Sequence, residues 1–435
     1  MENAVPGDIV TVRLTKNKKD WAEGHIIQIT GFSEERIQPF CKHFGICGGC
    51  QWQMLPYEKQ LLYKQDQVLQ SLKRIGKVEL PEIKPILGSE KTTLYRNKLE
   101  YTFSNRRYLL RSELSNPDIS AMQNAAGYHA RGIFDKIVDV DTCYLQDEPT
   151  NLIRKEIKNW AIEHGLSFYD IQKHEGFLRN VQVRLCRSGE LMVNVVFGQA
   201  GNPLQEALLE NLLKKFPQIT TLLYTINLKW NDSLNDLKPV PFFGKGYVIE
   251  TLEKFSFKIG PKSFFQTNTA QAERLYQIVR EFAQLNGNET VYDLYCGTGS
   301  IGIFLSDHIK KLVGIELIPE AIEDAKENAM LNHISHAAFF AGDVTVICND
   351  EFFEANGRPD IIISDPPRAG MSEKLVSKLL EIGAEKIIYV SCNPATQARD
   401  LQRLSEKYDI SAVQPVDMFP HTLHIENVTA LFLKH

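Results

Sequence analysis

The sequence predicts an α/β protein whose C-terminal part, residues 261–435, is a doubly wound parallel-sheet domain. Three observations carry this. From Gly260 onward, short β-branched runs alternate with helical periodicity. Gly297, Gly299 and Gly302 form a G-x-G-x-x-G turn directly after the first of those runs. The chain has 435 residues, 43% hydrophobic and 24% charged, room for two or three domains with cores of their own. The same composition excludes collagen-like, disordered and low-complexity classes. No apolar run reaches the ~20 residues that span a bilayer, and Met1-Glu2-Asn3 up to Pro6 lacks signal-peptide character. A cytoplasmic protein without a membrane partner is expected. There, the eight cysteines read as thiols or metal ligands rather than disulfides.

Charge is uneven. Residues 1–111 hold 18 Lys+Arg against 12 Asp+Glu, a net of +6, so the remainder carries −11 within a total of −5. A polyanion, if bound, would meet the front of the chain.

Three regions follow in order: 1–40, 41–260 and 261–435. In the first, Ile9 to Leu14 alternates as a strand, Lys16 to Asp20 turns, and His25 to Ile29 is extended again. The second opens on a cysteine-rich knot at 41–50. A helix from Tyr57 to Ile75 carries Leu61, Leu62, Val68, Leu69 and Leu72 on one side. Mixed strands and helices fill 92–260, among them the alternating run Asn180 to Leu185. In the third region, Asn268 or Thr269 caps a helix reaching about Leu285. Strands follow at 290–294, 311–315, 360–363 and 386–390. Ligands of such sheets lie outside the carboxyl ends of the strands, so the motifs that end these strands surround one crevice.

The glycine turn has two functional readings, with Glu316 about 20 residues on as the ribose-binding acid. One is a dinucleotide site; the other is S-adenosylmethionine. Asp293, just before the turn, favours the second, because a carboxylate suits a cationic methionyl end and repels a pyrophosphate. The third strand ends in Asp365-Pro366-Pro367-Arg368, whose prolines stiffen a wall that presents Asp365 to a flat ring such as uracil. The fourth ends in Ser391-Cys392-Asn393-Pro394, where a following helix N-terminus favours a thiolate. His421 to Glu426 adds two histidines and a carboxylate; Glu426, if desolvated, suits a general base.

Together with Ser263-Phe264-Phe265-Gln266-Thr267-Asn268 and Gly314-Ile315-Glu316, these motifs resemble S-adenosylmethionine-dependent RNA 5-methyluridine methyltransferases. They are most similar to the iron–sulfur branch acting on 23S ribosomal RNA. The resemblance implies a Rossmann-like class I methyltransferase domain behind an α+β iron–sulfur domain that binds RNA. It implies cofactor contacts from Gln266, Tyr295, Glu316 and Asp365, with Asp293, Gly297, Ser300 and Asp343 as further candidates. Cys392 would be the nucleophile and Glu426 the base, with Phe264 a stacking surface and Asp365 also on the uracil edge. A monomer is the family expectation. Transfer RNA is the alternative substrate, a nicotinamide-dependent oxidoreductase the alternative enzyme, and a non-catalytic RNA-binding or iron–sulfur assembly protein the third class.

Spacing alone leaves Cys41-x5-Cys47-x2-Cys50 open to iron–sulfur, zinc or free thiols. The resemblance makes Cys143 the fourth ligand of a [4Fe–4S] cluster, with His43 a lesser candidate. Cys186, Cys296 and Cys348 are expected to pack in cores. Residues 6–40 resemble only the second half of the TRAM barrel, an OB-like RNA-binding module, so a partial β segment is expected at this end.

Overall fold

The computed structural model describes residues 3–19 and 22–435; Met1, Glu2, Trp21 and Asp20, the last residue of the expected turn, lie outside them.

The C-terminal sheet has seven strands in the spatial order Ala337–Ala341, Lys311–Glu316, Thr290–Leu294, Ile361–Ser364, Lys386–Ser391, Glu426–Leu433, Tyr408–Val416. The first five are parallel; Glu426–Leu433 runs antiparallel to both neighbours. The four expected strands fall within one residue of their predicted bounds. Strand order reverses between Thr290–Leu294 and Ile361–Ser364, which opens the crevice there.

Alternation along these strands separates two apolar layers. Ile361, Ile363, Ile388 and Val390 face one layer with helix Thr269–Ala283. Ile362, Ile387 and Tyr389 face the other with helices Glu373–Ile382 and Pro394–Leu404. Asn268 caps Thr269–Ala283 by accepting from the Gln271 N–H, as its sequence position predicts.

Several segments from before residue 260 join this core, two of them as regular elements. The hairpin of Val248–Leu252 and Phe255–Ile259 packs into the first layer. Val68 and Leu72, from the helix Tyr57–Ser71 and the π-helical turn after it, pack into the second. The predicted apolar side of that helix is only partly right. Leu62 is 59% exposed, whereas Gln60 and Lys64 are fully buried, because polar partners from the C-terminal region meet them.

A second sheet, also of seven strands, runs Ile137–Asp139, Ala125–His129, Lys98–Ser104, Leu178–Leu185, Leu191–Phe197, Thr221–Ile226, Val240–Phe243. Helices Thr150–Glu163 and Leu204–Lys215 cover one face with Ile153, Ile157, Leu208 and Leu212. The other face is polar. Thr225 donates to Asn194, Asn194 to Gln182, and Gln182 to Glu100, in a ladder of 3.0–3.1 Å bonds. The alternation at 180–185 thus separates an apolar core from a bonded polar face rather than from solvent; Asn180 and Arg184 are themselves buried.

The N-terminal segment is a two-stranded hairpin, Ile9–Asn17 with Ala22–Gly31. Strand pairing continues through Lys16 and Asn17, where a turn was expected. No barrel closes on it among the described residues, and Ile9, Leu14 and Ile27 stand exposed. Val5 anchors its start against Met54 and Leu55.

Candidate active site

Register assembles the crevice. Leu294 pairs with Ile315 on one side and Ser364 on the other, so Tyr295, Glu316 and Asp365 leave three adjacent strands at one level. Ser391 pairs with Asn427, which places Cys392 across from Glu426. The carboxyl ends of four parallel strands therefore converge with the start of the antiparallel strand Glu426–Leu433.

The glycine turn is held from within. Asp293 Oδ2 accepts the Gly302 N–H at 2.9 Å, and Glu316 accepts from Gly297 at 3.3 Å and Ile318 at 3.0 Å. Only glycine fits at 302: a Cβ there would lie 2.6 Å from a Leu312 methyl and 3.0 Å from Asp293 Oδ2. Tyr295 holds φ at 61°, which costs an L residue about 1–2 kcal/mol and turns the chain into the glycine loop. Ser300 shares a 2.8 Å hydrogen bond with Tyr276. Asp343 sits on the surface, capping Val344–Ile347 through the Thr345 N–H.

Charge defines what the crevice takes. Asp293 is 1% exposed, and its Oδ1 has no partner among the described residues. Burial lifts its pKa to about 7, with Asp365 and Glu316 adding to the rise and the Gly302 bond opposing it. Burial also lifts Asp365 to about 7. Glu426, 5% exposed, is raised well above the carboxylate range by burial and by Asp365. Mutually repelling carboxyl groups around an orphaned buried oxygen suit a cationic ligand and oppose a pyrophosphate. The donor set thus fits the methionyl end of S-adenosylmethionine.

Cys392 corrects one expectation. The helix Pro394–Leu404 does begin two residues later. Yet burial, then Glu426 and Asp365, push the thiol up to about 11, against the pull of Arg368. Desolvation and two neighbouring acids thus work against the thiolate that the strand-end position favours. A cationic ligand beside those acids would reverse part of this shift.

The second sheet holds one wall of the crevice. Asn97, just ahead of strand Lys98–Ser104, donates through its side chain to the Gln266 carbonyl at 2.9 Å and to Thr269 Oγ1 at 2.8 Å. Its own N–H reaches the Thr267 carbonyl at 2.7 Å. This fixes the loop that carries Gln266, while Phe264, two residues earlier, is 71% exposed. The sequence missed Asn97, as it missed Gln60 and Lys64: each is a lone polar residue with a deciding partner more than 150 positions away.

The segment leading to Glu426 is clasped by the cysteine loop. The N–H groups of Gln51 and Trp52 donate to the His421 carbonyl at 2.8 and 3.0 Å, and Gln60 bonds His421 Nδ1 at 3.1 Å. Burial drives the His421 pKa down to about 4. Cys41, Cys47, Cys50 and Cys143 line one cavity of about 120 Å³. Burial raises Cys47 to about 11 and Cys50 to about 12, each also feeling Cys143. His43, the lesser ligand candidate, accepts the Asp141 N–H at 2.9 Å. Among the described residues no three His, Cys, Asp or Glu side chains are grouped as around one metal ion. Cys186, Cys296 and Cys348 are buried in cores, as expected.

Comparison with known proteins places the chain among RNA methyltransferases. The family model described as tRNA (Uracil-5-)-methyltransferase matches residues 241–435. An uncharacterized RNA methyltransferase of Bacteroides thetaiotaomicron is 51% identical over 99% of this chain and 95% of its own length. One from Porphyromonas gingivalis is 47% identical over 98% and 94%. The Pyrococcus abyssi tRNA (uracil-54, C5)-methyltransferase, solved with S-adenosyl-L-homocysteine, superposes with a TM-score of 0.74 at 28% identity, covering 98% of this chain and 94% of that one. The chain belongs to the RNA (uracil-5-)-methyltransferase family.

Proposed function

We propose that the chain methylates C5 of a uridine in 23S ribosomal RNA, with Cys392 as nucleophile and Glu426 as base. The observation that carries this is the strand register that sets Cys392 opposite Glu426, with Asp365 acting electrostatically on both. S-adenosylmethionine supplies the methyl group as a sulfonium. The Cys392 thiolate adds to uracil C6, which breaks the conjugation and makes C5 an enolate carbon. C5 takes the methyl and then bears both methyl and proton. Glu426 removes that proton, and elimination of Cys392 restores the ring. Asp293, Gly297 and Glu316 orient the donor, with Gln266, Tyr295, Ser300 and Asp343 as further contacts. Asp365 and Phe264 meet the base, which must leave its stack to expose C6.

In this reading Cys41, Cys47, Cys50 and Cys143 hold a [4Fe–4S] cluster. What supports this reading is that all four cysteines line one cavity of about 120 Å³. The transfer needs no electron, so the cluster serves to tie the knot to the segment bearing Cys143. Transfer RNA is the second reading, favoured by the likeness to the Pyrococcus abyssi enzyme. Incubation with tritiated S-adenosylmethionine and, separately, ribosomal and transfer RNA decides. Label at uracil C5 in 23S RNA alone is expected; label in transfer RNA alone overturns the substrate, and none in either overturns the reaction.

A further inference from the structure

Among the described residues Trp230 is the most exposed large apolar side chain, at 76%, and it sits on a loop built to hold it still. The anchor is Arg179, 1% exposed, whose guanidinium lies 3.9 Å from the Tyr169 ring centroid. It donates to the carbonyls of Asn227 at 2.9 Å, Lys229 at 2.6 Å and Asn231 at 3.0 Å, and to Asp232 Oδ1 at 2.7 Å. A buried cation thus spends four bonds on residues 227–232 while Trp230, in their midst, points outward. His174 stacks on the indole at 5.0 Å and 9°. A fixed, solvent-exposed indole with one ring already stacked on it is a platform lacking its next layer.

The platform has a direction. Gln172 donates to Asp135 at 3.1 Å, joining the His174 turn to the segment of Phe134, which is 73% exposed. At the far end of the Trp230 loop, Lys262 Nζ donates to the carbonyls of Asn235 at 2.7 Å and Leu237 at 3.2 Å, two residues from exposed Phe264. Exposed aromatics therefore stand at both ends of this bonded path, Phe134 at one and Phe264 at the other. Among the described residues, Lys136 and Lys238 enter no ion pair near this path, leaving cationic charge for a polyanion.

We propose that Trp230, backed by His174, stacks a base of a single-stranded stretch of the RNA substrate, outside the crevice that takes the target uridine. The proposal rests on the reading of RNA as substrate. Bases stack on any exposed aromatic face regardless of sequence, and single strands need such faces together with cations.

The test uses the full chain. Titration with oligouridylate, followed by tryptophan fluorescence, is expected to quench Trp230, and Trp230→Ala to remove that quench. The same variant weakens binding about five- to hundredfold, since one base–aromatic stack has that worth. It raises KM for substrate RNA more than it lowers kcat. Trp230→Phe keeps most of the affinity, and Leu152→Ala, exposed on the helix-covered side, changes neither reading. Equal RNA affinity in wild type and Trp230→Ala, with both folded by circular dichroism, overturns the platform. Failure of the wild type to methylate any RNA while Trp230-dependent binding persists overturns the enzymatic reading instead.

Discussion

Lys64 Nζ lies 2.7 Å from Asp417 Oδ1, and both side chains are completely buried. The pair joins the helix Tyr57–Ser71 to the segment that leads into Glu426. Asp417 Oδ2 also accepts the Tyr57 hydroxyl at 2.8 Å, and Lys64 reaches the Phe419 carbonyl at 3.3 Å. An ion pair removed from water owes its net worth to complete bonding, and losing one member strands the other.

Lys64→Met should therefore destabilise the fold by about 3–5 kcal/mol, the usual cost of orphaning a buried charge. Urea unfolding measures it. The double variant Lys64→Met, Asp417→Asn should recover much of that loss, because no uncompensated charge remains. A double variant as unstable as the single would mean that packing, not charge, dominates at this joint.

What the sequence revealed and what it hid divide on the range of the interaction. The strands of the catalytic sheet and the Asn268 cap were legible because alternation and capping are local signals. Lys64 was not: on a helix at 3.6 periodicity a lysine reads as solvated, and only its partner 353 positions away explains its burial. Arg179 was hidden likewise. The chemistry of Cys392 was legible as a strand-end thiol before a helix. Its elevated pKa was not, because Glu426 and Asp365 arrive from other strands.

Cofactor affinity should depend on pH. Asp293 and Asp365 sit near 7 in the free protein, so below about pH 6 both are largely protonated and offer a cation little. As pH rises through 7 they ionise, and S-adenosylmethionine binding should tighten, levelling above about 8. S-adenosylhomocysteine, without the sulfonium charge, should show a shallower profile by calorimetry. Asp293→Asn should flatten the steeper curve; identical slopes for both ligands would mean these acids do not face the sulfonium.

Gly302→Ala tests the turn. The added methyl meets Leu312 and Asp293 Oδ2 at 2.6 and 3.0 Å, so the turn must shift and the Asp293 bond must lengthen. Overpacking of this kind costs about 1–3 kcal/mol. KM for S-adenosylmethionine should rise roughly tenfold or more while KM for RNA changes little. Equal increases in both would place the damage in the fold rather than the donor site.

Cys392→Ala should abolish transfer, whereas Glu426→Gln should stall after it. With 5-fluorouridine RNA the methylated adduct has no C5 proton to lose, so wild type should form a covalent complex stable to denaturing gel electrophoresis. Cys392→Ala should form none. Glu426→Gln removes the proton acceptor but leaves the thiol intact, and so should accumulate the same adduct on ordinary uridine RNA. Because Glu426 faces Cys392 and holds its thiol up, the Gln variant should also lower the Cys392 pKa, read by the pH dependence of alkylation in the free protein. Normal turnover by Glu426→Gln would assign the base elsewhere. An unshifted alkylation profile would show that burial and Asp365, not Glu426, set the thiol.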